Sequence, residues 1–302
     1  MIAFRMEQTP IPLRTSVIVV SYNMAGALRR CLEALDRSAE REGFEIIVVD
    51  NGSEDESVSV IDSFPKVTPL RLPRNFGFVK AVNIGMRTAK GEYFLLLNPK
   101  TEVLPDTVAA LTARLEQAAD AVAVSPALAT PEGQPAARLY KLPRPENLRA
   151  VAAAGKFEAA AAPESAAEPV AVEFAGFAAL MVRSYFLKGL RYIDEHYAQS
   201  WADAEVALQI RRAGKKTLLA PGVHAIWHAE DDLRRTMPAQ PLDQLAADWT
   251  LGAATYGSKH FGFTAGLKVR LAGALSALFS FRIRRFVWAA GGQKIDGTQT
   301  VM

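Results

Sequence analysis

Four short stretches of the first hundred residues combine polar side chains with aromatic, glycine or proline residues: Ser21-Tyr22-Asn23, Asp50-Asn51-Gly52-Ser53, Asn75-Phe76-Gly77-Phe78 and Asn98-Pro99-Lys100. Their residue types suit the recognition of a flat, polar small molecule. A carboxylate such as Asp50 accepts hydrogen bonds from a base or a ribose, and an aromatic ring such as Tyr22 stacks on a flat ring. Asn75 and Gly77 suit a tight turn, while Ala81 and Gly85 recur at helical spacing and permit close approach. Further on, Asp203 opens an amphipathic helix that carries Val206, Leu208 and Ile210 and stops at Gly214. The helix dipole stabilises a carboxylate at that position, whether it is a plain cap or a reacting group. His224 and His228 follow a last short strand.

These groups need elements that converge on one edge. Ser16-Val17-Ile18-Val19-Val20, Glu45-Ile46-Ile47-Val48-Val49-Asp50 and Glu92-Tyr93-Phe94-Leu95-Leu96-Leu97 are near-continuous apolar runs, the pattern of strands buried on both faces. Leu28, Cys31, Leu32 and Leu35 lie on one face of a helix between the first two. Strand, helix and strand with short connections predict a right-handed parallel unit. In an open α/β sheet ligands bind beyond the carboxyl ends of the strands, so Ser21, Tyr22 and Asp50 are expected together there. Ser53, Glu54 and Asp55 are good caps for a helix from about residue 54 to 64. Further helices are expected over residues 105–119, 246–261 and 265–290, with a strand at 121–125.

The chain has 302 residues, half of them apolar, which is enough for a sizeable core. A net charge of +3 is too small to imply a nucleic-acid partner. The single cysteine, Cys31, excludes an internal disulfide framework and reads as a packing residue in a reducing compartment. Residues 1–15 lack the apolar block of a signal peptide, and no run reaches the ~20 apolar residues that span a bilayer, so a cytoplasmic protein is expected. Residues 130–170 shift toward proline and alanine and read as a mobile insertion. Residues 267–286 combine an apolar centre with basic flanks. Two readings stay open for them: a helix in a membrane interface, or one packed on the rest of the chain or on a second subunit.

Taken in order, Ser21-Tyr22-Asn23, Val49-Asp50-Asn51-Gly52-Ser53, Asn75-Phe76-Gly77-Phe78 with Asn83 and Gly85, and Leu97-Asn98-Pro99 resemble the inverting, GT-A-fold glycosyltransferases of family 2, particularly the rhamnosyltransferase-like branch. The resemblance covers roughly residues 14–230. It implies an α/β fold with a mostly parallel central sheet flanked by helices, and sugar transfer with inversion from a nucleotide-diphosphate donor. The donor would be a dTDP- or UDP-sugar such as rhamnose, and the acceptor a glycan or lipid-linked glycan of the cell envelope. The expected layout is an extension over 1–14, a GT-A domain over 15–235, a helical extension over 236–290 and a tail over 291–302.

The resemblance also assigns roles. Ser21, Tyr22 and Asp50 would hold the base and ribose, with Asn23 and Asn51 beside them; Asn75, Gly77, Asn83 and Asn98 would shape the nucleotide-sugar pocket. Asp203 would be the general base, and Gly176 matches a glycine-containing strand of the family. His228, or else His224, would lie near the diphosphate or a metal. Two positions depart from the pattern. The family commonly reads Asn-Pro-Asp where this chain reads Asn98-Pro99-Lys100, and Glu-Asp where it reads Ala202-Asp203. A protonated lysine cannot ligate Mn or Mg, but it can contact a diphosphate as a point charge. Three outcomes follow: an enzyme that uses Lys100 instead of a metal, a metal held by other ligands, or a silent nucleotide-sugar-binding scaffold.

Overall fold

The computed structural model describes residues 13–136, 138–161, 168–228 and 239–292. A nine-stranded sheet forms its centre, in the order β3-β2-β1-β4-β10-β6-β11-β5, with β8 paired to β11. The strands are β1 (Thr15–Ser21), β2 (Phe44–Asp50), β3 (Val67–Arg71), β4 (Tyr93–Leu97), β5 (Thr101–Val103), β6 (Ala121–Ala129), β8 (Val170–Val172), β10 (Ala179–Arg183) and β11 (Lys216–Trp227). A separate two-stranded ribbon pairs β7 (Leu139–Tyr140) with β9 (Phe174–Ala175).

Strands β3, β2, β1 and β4 run parallel, as the apolar runs predict. At β10 the direction reverses, because β10 is antiparallel to both β4 and β6, so the whole sheet is mixed rather than mostly parallel. The sheet also curls. Only Asn98, Pro99 and Lys100 separate β4 from β5, which ends the strand order, and three residues reach about 10 Å. A register shift between Ala220 and His224 bends β11 so that its last residues, Ala225–Trp227, meet β5.

Both faces of the sheet are buried, which explains the unbroken apolar runs. Val17, Val19, Ile46, Val48, Leu95 and Leu97 point to one core with Leu28, Leu32, Leu35 and Leu111. That side is covered by α1 (Ala25–Asp36), α2 (Ser57–Asp62) and α4 (Thr107–Gln117). Cys31 is buried there and burial pushes its thiol up to about 12, so it packs rather than reacts. Ile18, Ile47, Val49, Phe94 and Leu96 point to the opposite core. Here lie α3 (Phe78–Thr88), α7 (Ala202–Arg212) and α8 (Ala239–Phe261), with the short helices α5 (Leu148–Ala154) and α6 (Ser184–Gly189). α9 (Phe263–Phe279) and α10 (Ile283–Gly291) complete the chain's helices among the described residues.

Two expectations are corrected. Residues 138–161 are packed, not mobile: Leu139, Leu142, Leu148, Val151 and Phe157 are buried in the same core as Trp201 and Tyr256. A few large side chains suffice where the rest is alanine, and α5 rests on α8 and α9. Residues 162–167 lie outside the described residues, as do 1–12, 229–238 and 293–302. The helix expected over 265–290 is broken at Ser280–Arg282, where Phe281 has a φ of 55°. A left-handed residue cannot continue an α-helix.

Candidate active site

The register aligns Ser21 with Asp50 at the carboxyl ends of β1 and β2. Both are buried. Asp50 Oδ2 accepts a hydrogen bond from the Ser53 amide at 3.2 Å. Asp50 Oδ1 and Ser21 Oγ have no hydrogen-bond partner among the described residues. Buried polar atoms left unpaired cost roughly 1–3 kcal/mol each, so two on adjacent strands mark a place for a ligand that supplies partners.

The loops around this pair are tied by short-range amide contacts. Asn23, at φ 50°, accepts from the Glu54 amide at 2.8 Å through its side chain, and its own amide donates to Ser53 Oγ at 3.0 Å. Asn51 Nδ2 donates to Asn75 Oδ1 at 2.9 Å, and Asn51 Oδ1 accepts from the Phe76 amide at 2.9 Å. Asn75 Oδ1 also accepts from the Gly77 amide at 2.8 Å. Gly52, at φ 79°, runs so close to Arg74 that a Cβ would sit 2.5 Å from its backbone. Tyr22 is buried beside these amides, and burial together with the Glu54 carboxylate pushes its phenol up.

Asp203 lies in the first turn of α7, beside Gly176, whose neighbour Ala178 is bonded to the end of β4. Its Oδ1 accepts from the Ala204 amide at 2.9 Å. A Cβ on Gly176 would stand 3.5 Å from Asp203 Oδ2 and 3.3 Å from the Tyr140 ring, so the glycine leaves room before the carboxylate. Asp203 is half-buried as a residue, but its carboxyl is hemmed in. Burial pushes it up to about 6, with the Ala204 amide and the Arg138 guanidinium pulling part of the way back. A carboxylate poised near neutrality suits a general base. The residue before the helix is held in an uncommon conformation: Trp201 is buried at φ 72°.

The third group gathers where β4 passes into β5. The Asn98 amide donates to the Ala178 carbonyl at 3.0 Å, and Asn98 Oδ1 accepts from the Lys100 amide at 3.0 Å. The His228 amide donates to the Lys100 carbonyl at 2.9 Å, and the His228 Nε2 and Glu102 Oε2 atoms lie 2.9 Å apart. His224 is exposed, one pairing step further back on β11. Among the described residues no three His, Cys, Asp or Glu side chains converge to hold a metal. Glu102 and His228 engage each other, and a lysine stands where a carboxylate ligand is expected. The described residues at this edge do not fit a divalent-metal site.

Residues 16–160 match the model of Glycosyl transferase family 2. That stretch resembles a family 2 glycosyltransferase domain. An uncharacterised glycosyltransferase of Bacillus subtilis, YfnE, is 34% identical over 32% of this chain and 26% of its own length. An undecaprenyl-phosphate 4-deoxy-4-formamido-L-arabinose transferase of Pseudomonas fluorescens is 30% identical over 37% of this chain and 36% of its own length. The chain thus spans about a quarter to a third of these relatives. Among solved structures, S. aureus TarS aligns over 93% of this chain and 92% of that chain, with a TM-score of 0.52 and 13% identity. The mannosyltransferase PcManGT from Pyrobaculum calidifontis, solved with GDP-Man and Mn2+, aligns over 92% and 84%, with a TM-score of 0.53 and 18% identity. These likenesses show a GT-A-type fold.

Not every expected site residue faces the edge. Asn83 is fully committed elsewhere: its Nδ2 donates to the Ile193 carbonyl at 2.8 Å and to Glu195 at 3.1 Å, and its Oδ1 accepts from the Ile193 amide at 3.1 Å. It ties α3 to the segment before α7. Glu205, two residues after Asp203, is locked as well. It receives His260 Nε2 at 2.5 Å, Lys259 Nζ at 2.8 Å, Gln209 Nε2 at 2.8 Å and the Tyr197 hydroxyl at 2.9 Å. Burial alone would raise the Glu205 carboxyl; these donors outweigh it and hold it down at about 2. Arg138, Tyr140, Trp227 and Asp248 were not singled out by sequence reasoning. Arg138 stacks over Trp227 at 4.4 Å from the ring centroid, between Asp203 and the Lys100 edge, and its buried Nε has no hydrogen-bond partner among the described residues. No motif announces it, because it follows a proline-rich stretch and works through partners distant in sequence.

Proposed function

We propose that this chain transfers a sugar from a nucleoside-diphosphate donor to an acceptor hydroxyl, with inversion at the anomeric carbon. The observation that carries this reading is the pair of unpartnered buried atoms, Ser21 Oγ and Asp50 Oδ1, side by side at the carboxyl edge of β1 and β2. Asp50 accepts from the base or ribose, Ser21 adds a second polar contact, and Tyr22 flanks the ring. Asn75, Asn51 and Gly77 hold the loop that shapes the pocket.

The acceptor hydroxyl docks before Gly176, where Asp203 takes its proton as the oxygen attacks the anomeric carbon. The bond from that carbon to the diphosphate breaks with its electron pair leaving on the diphosphate. Lys100 offsets that charge as a cation, with His228 and Glu102 bracing the strand ends. The donor class we favour is a dTDP- or UDP-sugar, rhamnose among them, and the acceptor a lipid-linked glycan of the cell envelope. The relative named as an undecaprenyl-phosphate transferase supports a lipid-linked acceptor.

The test is titration of the purified chain with dTDP- and UDP-sugars, followed by turnover with and without EDTA. Saturable donor binding and turnover that survives the chelator are expected, and Lys100→Ala should weaken donor binding and turnover together. Donor binding without hydrolysis or transfer would instead favour a silent scaffold. Loss of turnover in EDTA with recovery in manganese would reassign the role given to Lys100.

A further inference from the structure

Helix α9 is inside out for a helix in water. Its buried residues are Gly266, Val269, Ala274 and Ala277, while Leu267, Leu271, Leu275, Leu278 and Phe279 are exposed. The small residues serve close contact with α8: a Cβ on Gly266 would collide with Ser258 and the Ala254 carbonyl, and one on Gly273 with Thr250. The large residues recur every three or four positions and so form one outward stripe. Phe281, Ile283 and Val287 extend it across the break into α10, and Phe279 and Phe281 are 79% and 89% exposed. Phe263 adds a further exposed ring at the other end of α9. A contiguous apolar face of this kind marks a surface that another phase or molecule covers.

Its charge says which. Residues 263–292 hold Lys268, Arg270, Arg282, Arg284 and Arg285 and no Asp or Glu. Arg270 is taken up by the carbonyls of Ala289 and Ala290, which folds α10 back on α9, and Arg282 by Asp243. Lys268 and Arg284 are exposed beside the apolar stripe. A second protein copy would bring the same excess of cations to the interface and repel it. An anionic lipid surface complements both features, accepting the apolar side chains below its headgroups and the cations at them. No described helix is long and apolar enough to cross a membrane, so the geometry is that of helices lying in the interface plane.

We propose that the α9–α10 face is a docking surface for an anionic lipid bilayer. The other side of α9 rests on α8, and α8 holds the approach to Asp203: Asp248 accepts from the Ser200 amide at 2.9 Å, and Gly252 lies against Trp201. One helix layer therefore separates the bilayer from Ser200 and Trp201, which lead into the helix that carries Asp203. The proposal does not depend on the chemistry at that base.

Vesicle flotation of the full chain tests it, with neutral phosphatidylcholine vesicles set against vesicles containing phosphatidylglycerol. The chain should float with the anionic vesicles and not with the neutral ones, and high salt should release most of it. Leu271→Asp with Leu275→Asp should lower partitioning at least tenfold, and Lys268→Glu with Arg284→Glu by about tenfold. Circular dichroism and donor binding check that these surface variants remain folded. Equal partitioning onto both vesicle types, or variants that float like the parent, would overturn the proposal. So would a dimer by light scattering that becomes a monomer in Leu271→Asp with Leu275→Asp.

Discussion

The two sides of the candidate site are built differently. The proposed nucleotide side, from Ser21 to Gly77, is held by amide contacts between neighbouring loops, and it leaves Ser21 Oγ and Asp50 Oδ1 without partners among the described residues. The proposed acceptor side, around Asp203, is held from afar. Asp248 reaches Ser200, and Lys259 and His260 reach Glu205, across 48 to 55 positions of chain. The first side keeps polar atoms open for a ligand. The second surrounds the Glu205 carboxylate with four donors, two residues from the desolvated carboxyl of Asp203. Binding capacity and base geometry are thus set by separate parts of the chain, and they should fail separately.

The largest effect should come from Asp203→Asn. Removing the base should lower turnover by roughly 10²–10⁴ while donor affinity changes little. Stability should move the other way. The folded carboxyl is raised from 3.8 to about 6, so its stabilising protonated form is complete below about 3.8 and is lost as pH rises through about 6. At pH 7 the asparagine variant should therefore melt no lower than the parent, and a lower melting point would contradict the assigned burial.

Next in size is the lock itself. Glu205→Ala leaves His260 and Lys259 facing a buried gap and should cost roughly 3 kcal/mol in denaturant unfolding. Glu205 is held down from 4.5 to about 2, so its contribution is present above about 4.5 and lost as pH falls toward 2. The variant should lose that acid-dependent part of the unfolding profile. Turnover should fall with little change in donor affinity, and a matched loss of both would show that the two sides are not separable.

Asp50→Ala should do the converse. Loss of a charged acceptor should weaken donor binding by about tenfold to a hundredfold and leave the melting point within a few degrees of the parent. Calorimetric titration with the donor reads this directly. The smallest effect should be Arg138→Gln. Its guanidinium lowers the Asp203 carboxyl, so the acid limb of the turnover profile, expected near pH 6, should move to higher pH. A limb that stays in place would remove Arg138 from the electrostatics of the base.

The contrast also sets what was legible in the residues. Asp50 and Ser21 could be read because they end strands buried on both faces, and such strands announce themselves as unbroken apolar runs. Asp203 could be read as a helix start, because local capping and periodicity mark one. The reversal at β10 could not, since a strand buried on both faces has the same composition in either direction. Nor could the packing of residues 138–161, where Leu142, Leu148, Val151 and Phe157 are too few and too spaced to outweigh the surrounding alanines. Lys259 and His260 look like ordinary basic residues ending a helix; only the folded chain shows that they close on Glu205.

That closure has a consequence for how the protein is made. A ribosome delivers β1 to β4 early, and these strands with α1 and α3 can pair among themselves. The approach to Asp203 waits for Asp248, Lys259 and His260, which emerge some 50 residues later, on the helix just ahead of the apolar face of α9. The strands that bear Ser21 and Asp50 can thus be in place before the segment that leads into α7 is held. The order of synthesis therefore leaves the surroundings of Asp203 to be settled last, when the helix bearing Asp248, Lys259 and His260 finds its seat.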